Sequence, residues 1–187
     1  MRPERSSPSK NGDQLCLARA ISVSWAKLNQ CTPEEWAEIS KTRGKKRNLD
    51  LILQHRKVPE SFCKKLRTKG RSEQTNLAVA ISQLARVALD RPASLNDIAA
   101  FESILGVRVM VVSARLGNNF ITSLSTDDRP CVYVYQVDDD HFHSITSITG
   151  FFCSRYFCQI CLKHFDHRKK HRCYMFCIVD RRLPQSR

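Results

Sequence analysis

The sequence predicts an α/β (α+β) fold in which helices packed in the first half lie on a small mixed sheet formed by the second half. Three observations predict it. Apolar residues recur at helical spacing over 16–28, 33–39, 73–89 and 98–105. Beyond residue 106 the β-branched and aromatic content rises. Asn, Asp, Gly and Pro clusters then cut that region into short runs.

The elements follow in order. Cys16 to Leu28 places Leu17, Ala20, Ile21 and Leu28 near one face of a buried helix. Thr32-Pro-Glu-Glu35 has the form of a capping box with proline at the first helical position, opening a short helix through Trp36 and Ile39. An amphipathic helix is expected from about Glu73 to Leu89. Ser94-Leu-Asn-Asp97 opens another over Ile98 to Leu105, which Gly106 stops. Four strands are expected at Val107 to Val112, Phe120 to Leu124, Cys131 to Tyr135 and Phe142 to Ile148. The organisation expected is a disordered N-terminus at 1–12, a domain over 13–150, a small module over 151–177 and a disordered tail at 178–187.

Composition narrows the function classes. The chain has 187 residues and nine cysteines, and Met1 to Asp13 carries no apolar stretch of the secretory kind. Thiols in a reducing compartment serve metals or catalysis rather than a disulfide scaffold, so nucleus or cytoplasm is expected, not secretion. No run approaches the ~20 apolar residues of a membrane span. The net charge of +13 is uneven: twelve Lys/Arg lie between Lys41 and Arg71 and nine between Phe151 and Arg187, whereas residues 72–150 hold five basic and nine acidic side chains. Two basic segments flanking a mildly acidic region are the footprint of a polyanion binder. The candidate contacts are Lys45, Lys46 and Arg47 in the first segment and Lys163, Arg168, Lys169, Lys170 and Arg172 in the second. Phosphate-driven, non-specific binding of DNA or another nucleic acid is the expectation.

The second segment also carries a metal-ligand pattern. Cys158 and Cys161 form a C-x2-C knuckle, a spacing that lets one tight turn present two thiolates to a tetrahedral ion. His171 and Cys173 follow after nine residues, with Cys177 as the alternative fourth ligand. The intervening segment is about three residues shorter than a Cys2His2 loop, so a zinc knuckle is expected rather than a ββα finger. Lys163 and Phe165 occupy places where such modules keep a basic residue and a packing aromatic.

Asp13-Gln-Leu-Cys16 puts a thiol at the first turn of a predicted helix, where the macrodipole and backbone N–H groups stabilise a thiolate. A nucleophile needs a base, and His141 opens the last predicted strand.

Asp13-x-x-Cys16-Leu-x-Arg-Ala-Ile21 resembles the nucleophile motif of OTU-type deubiquitinating cysteine proteases, and His141-Phe-His-Ser-Ile145 resembles their terminal His element. The resemblance implies an OTU-like domain with Cys16 as nucleophile, His141 as base, and Asp13 with the 13–16 loop at the oxyanion. The chain differs at Gln14, where the family has glycine, at Ala18, where it has an aromatic, and at His143, where it has an orienting Asn or Asp.

The order of Cys16 to Ile21, Phe101 to Val109, Val132 to Tyr135, Asp140 to Phe152 and the Cys158–Cys173 module also resembles the region preceding the exonuclease and polymerase domains of protein-primed family B DNA polymerases of Maverick/Polinton elements. Polymerase activity itself is not expected, because two-metal nucleotidyl transfer needs paired acids in a palm-like setting, and Asp138-Asp-Asp140 reads as a solvated turn. The resemblance implies a nucleic-acid-associated accessory module of a transposon- or virus-derived replication protein. The alternative is an OTU-type cysteine protease acting through Cys16 and His141 on ubiquitin-like or polyprotein substrates.

Overall fold

The structure is a computed structural model and describes residues 14–42, 44, 47–68, 71–121, 128–138, 141–168 and 171–173. The segments 1–12 and 178–187 lie outside the described residues. The chain begins with α1 (Cys16–Leu28), β1 (Gln30–Cys31), α2 (Pro33–Lys41), α3 (Asn48–His55) and β2 (Val58–Pro59). It continues with α4 (Glu60–Thr68), α5 (Arg71–Leu84), a 3-10 turn (Leu95–Asp97) and α6 (Ile98–Leu105). Then come β3 (Arg108–Ser113), β4 (Asn119–Phe120), β5 (Cys131–Asp138), β6 (His141–Ile145), α7 (Ile148–Phe151), β7 (Tyr156–Cys158) and β8 (Lys163–Phe165). The main sheet is mixed, in the order β4-β3-β5-β6, with β3 and β5 parallel and the two outer pairs antiparallel.

Helix α1 is the centre of the molecule. It packs against β5 and β6 on one side and α5 on another, so ten consecutive-turn residues including Ile21 and Trp25 are buried, not one stripe. Its two buried serines stay satisfied through carbonyls: Ser22 Oγ donates to Ala18 O at 2.6 Å and Ser24 Oγ to Tyr133 O at 2.8 Å. Alternation along the strands divides the interior. Val109, Val111, Val132, Val134 and Phe142 face α1 and the helical layer, whereas Met110, Val112, Tyr133 and Ile145 form a second core on the opposite face.

Several elements depart from the sequence expectation. Helix α5 stops at Leu84, five residues early, because Arg86 takes a left-handed φ of 55°. The turn is a Schellman closure, with Val87 N–H donating to Ser82 O at 2.9 Å and Arg86 N–H to Gln83 O at 3.1 Å. The first basic segment, for which no helix is expected from the sequence, contains α3 and α4, whose Leu51, Ile52, Cys63 and Leu66 are buried. The strand expected through Ile148 ends at Ile145, since Ser147 Oγ accepts from Gly150 N–H at 3.1 Å and starts α7. The β4 pairing covers only Asn119–Phe120, and residues 122–124 of that expected strand lie outside the described residues.

The C-terminal hairpin is not an appendage in space. Phe157 of β7 and Leu162 of the turn pack on the second core with Phe120, Phe151 and Phe152, and so close the sheet face that α1 leaves open. Among the described residues no helix is long and apolar enough to cross a membrane.

Candidate active site and candidate metal centre

The first residue of α1 and the first residue of β6 meet at one end of the sheet. Cys16 Sγ lies 3.6 Å from His141 Nδ1 although the two are 125 residues apart in sequence. Helix α1 enters through a Gln14–Leu15 turn that the neighbouring segment holds: Ala93 N–H donates to Gln14 O at 3.3 Å and Gln14 Nε2 donates to Asp90 O at 3.3 Å. The N-cap, Leu15, offers no side-chain cap. The positive end of α1 therefore acts on the Cys16 sulfur without a competing side-chain acceptor at the N-cap position. Asp13 lies outside the described residues.

Strand β6 is an edge strand, and an edge presents unpaired backbone groups. Cys16 Sγ meets both groups of Phe142, accepting from its N–H at 3.1 Å and facing its carbonyl O at 3.2 Å. The Phe142 N–H favours a thiolate, and the Phe142 carbonyl favours a protonated thiol. Sequence reasoning could not find this contact, because backbone atoms of an ordinary phenylalanine leave no mark in the sequence. Cys16 is 8% exposed, while His141 stands in solvent at the rim. The other described partner of the His141 ring is His143, with centroids 4.7 Å apart and planes at 83°. Among the described residues no carboxylate or amide accepts from the imidazole. Two other cysteines are chemically quiet: burial raises the Cys31 thiol and pushes the Cys63 thiol up to about 11.

The second site lies on the β7–β8 hairpin. Cys158 ends β7, Cys161 sits in the turn, and Leu162 takes a φ of 55° to fold the chain back into β8. Cys158, Cys161, His171 and Cys173 converge, with one ligand atom from each lying within 4.8 Å of all the others. Cys158 Sγ is 3.7 Å from Cys173 Sγ, and Cys161 Sγ is 3.7 Å from His171 Nε2. Sulfur at about 2.3 Å and nitrogen at about 2.1 Å around a tetrahedral ion stand about 3.6 to 3.8 Å apart, so these spacings fit a metal ion held by three thiolates and one imidazole. Burial raises the Cys158 thiol, but the backbone N–H groups of Cys161 and Ile160, together with the His171 and Cys161 side chains, outweigh it and bring it down to about 7. Burial and the adjacent Cys158 sulfur push Cys161 up to about 11. The His171 ring lies flat on Phe165, centroids 4.1 Å apart. Cys173 fills the fourth position; Cys177 lies outside the described residues.

Lys163, Arg168 and Arg172 are exposed around this cluster, and Lys169 and Lys170 lie outside the described residues. In the first basic segment Arg47 is exposed and paired to Asp50 at 3.3 Å, while Lys45 and Lys46 lie outside the described residues. Compared with known protein families, curated proteins and solved structures, the chain finds no match in any of the three.

Proposed function

We propose that the chain is a thiol hydrolase of the OTU type, with Cys16 as nucleophile and His141 as general base. The observation that supports this reading is the 3.6 Å approach of Cys16 Sγ to His141 Nδ1 at the N-terminus of α1. His141 takes the thiol proton, and the thiolate attacks the carbonyl carbon of a peptide or isopeptide bond. The imidazolium then protonates the leaving amine, and water, deprotonated by the same ring, releases the acyl group as a carboxylate. The substrates are ubiquitin-like tails or polyprotein junctions. Incubation with ubiquitin carrying a C-terminal electrophile should give a covalent adduct on Cys16 that is absent in Cys16→Ala and lost in His141→Ala. No adduct, together with ordinary thiol titration of Cys16 near ~8.5, overturns the assignment.

The metal in the Cys3His cluster is zinc in this reading, since three soft thiolates with one imidazole at tetrahedral spacing suit it. A second role is favoured by the exposed Lys163, Arg168 and Arg172 beside the cluster: a nucleic-acid-associated accessory module of a transposon- or virus-derived replication protein, working in nucleus or cytoplasm. Affinity for DNA should then fall with salt by roughly 0.7 to 0.9 in log–log slope per neutralised phosphate. Neutralising Arg168, Lys169 and Lys170 together should flatten the slope by about two to three. Binding undetectable at low salt overturns this role.

A further inference from the structure

A cleft of about 460 Å³ opens between the turn that joins β3 to β4 and the metal-bearing hairpin. Its size falls in the range of about 300–1,000 Å³ typical of small-ligand sites. The floor is apolar, formed by Phe120, Phe152 and Leu162. The rim carries the exposed side chains of Asn118, Asn119, Lys163 and His164, and among the described residues no acidic one lines it. Two of its rings stack on each other, Phe152 and His164 at 4.8 Å and 8°, whereas Phe120 is tilted from Phe152 by 49°. His164 is the solvent-exposed member of that group. An apolar floor, a stacked ring pair, amides at the edge and a cation at the mouth together match one ligand chemistry: a planar heteroaromatic base joined to a phosphate.

We infer that this cleft is a nucleobase subsite, taking an unpaired base of a single-stranded nucleic acid on the solvent-facing side of His164, which Phe152 backs, while Lys163 holds the adjoining phosphate. The inference rests on the nucleic-acid reading given above and adds to it a base-dependent component that phosphate contacts lack. Duplex DNA hides the faces of its bases, so the cleft selects single strands. Asn118 and Asn119 sit where the edge of the base would lie, and an amide can donate or accept; stacking nevertheless dominates, which makes the preference tolerant of sequence. The hairpin that supplies Lys163 and His164 is also the one that carries Cys158 and Cys161, so loss of the metal should remove the subsite as well.

The test compares two oligomers of equal charge, a thymidine dodecamer and an abasic dodecamer, binding to the full chain by fluorescence anisotropy at low salt. Stacking of one base predicts about 10-fold tighter binding of the thymidine oligomer. His164→Ala should remove most of that gap without changing metal content, and Lys163→Gln should weaken both oligomers alike. Equal affinity of the unmodified protein for the two oligomers overturns the subsite while leaving phosphate binding intact. Failure of both to bind overturns the nucleic-acid reading itself. A gap that persists in His164→Ala places the base elsewhere and also overturns the inference. Should that variant lose its metal, NMR titration of the unmodified protein with the thymidine oligomer decides the matter: the His164 and Phe152 ring resonances must shift, and unshifted rings at saturation overturn the subsite.

Discussion

The imidazole of His171 lies 4.1 Å from the ring of Phe165 with the two planes 2° from parallel. Phe165 belongs to β8 and pairs with Tyr156 of β7, whose own ring stacks on it at 5.6 Å. The hairpin thus fixes the orientation of a ligand that arrives from outside it. The orienting contact is apolar, so it constrains the ring plane and leaves the choice of nitrogen to the metal.

Replacing Phe165 by Ala should therefore weaken metal binding by about 10-fold, the lower end of what supporting contacts around a metal contribute. Competition against a chromophoric chelator measures it. Cys158→Ser or Cys161→Ser should abolish stoichiometric binding, because each removes one of four donors. Retention of one metal per chain in both serine variants would show that these cysteines are not ligands.

Asp97 supplies a pH-dependent contribution to stability. Arg91 holds the Asp97 carboxylate in a bidentate contact at 2.7 and 2.8 Å, and Asp97 also accepts from Ser94 N–H at 2.8 Å. Arg91 first, and then the Ser94 backbone, hold the carboxyl at about 2, against burial, which acts the other way. A carboxyl with a depressed folded-state pKa stabilises the fold above its unfolded value and loses that contribution as pH falls toward 2. Because Arg91 is half exposed, the contribution is about 1 to 2 kcal/mol after screening. Asp97→Asn should lower stability by that amount at pH 7 and flatten the decline between pH 4 and 2. Denaturant melts across that range test it.

Gly106 ends α6 at a φ of 65°, and a Cβ there would stand 2.5 Å from Arg56 Nη1. Arg56 Nη2 donates to Ile104 O at 3.1 Å, so the guanidinium closes the C-terminus of α6. Gly106→Ala should cost about 1 to 2 kcal/mol from the left-handed backbone alone, and more if Arg56 is displaced. In an Arg56→Ala background only the backbone cost should remain. Thermal melts of the two single variants and the double variant separate the two effects.

These cases show which features the sequence carries openly. The bounds of α1, the Thr32–Glu35 box and the Ser94 to Gly106 helix are set by neighbours within a few residues, and all three stand where the local signals put them. The end of α5 was hidden because Arg86 adopts the conformation that glycine usually marks. Helices α3 and α4 were hidden by charge: their buried Leu51, Ile52, Cys63 and Leu66 are spaced among lysines and arginines that read as a polyanion contact.

The two sites differ in the same way. Cys158, Cys161, His171 and Cys173 lie within sixteen residues, and ligand spacing alone brings them together. Cys16 and His141 meet only through the packing of α1 on β6, which no local pattern encodes. The cleft beside the hairpin was not legible at all. It depends on docking of β7 and β8 onto the second core, which sets His164 and Lys163 opposite the β3–β4 turn.

The protonation state of Cys16 decides whether the pair is reactive. A neutral thiol has one hydrogen, and it can go to Phe142 O at 3.2 Å or to His141 Nδ1 at 3.6 Å, not both. A thiolate instead accepts from Phe142 N–H at 3.1 Å and from a protonated Nδ1, with the α1 dipole acting in the same direction. The carbonyl 3.2 Å away and the burial of the sulfur oppose it. Two donors and a helix terminus, set against one acceptor and that burial, favour the ion pair. The iodoacetamide rate at Cys16 should therefore titrate well below the ordinary thiol value of ~8.5. His141→Ala should move that titration upward past ~8.5, since the carbonyl and the burial of the sulfur then act without a cation. Cys31 and Cys63, both buried and both shifted upward, should react only after unfolding and serve as internal standards. An unchanged Cys16 profile in His141→Ala would mean that the thiol spends its hydrogen on Phe142 O and closes the sheet edge as a structural residue.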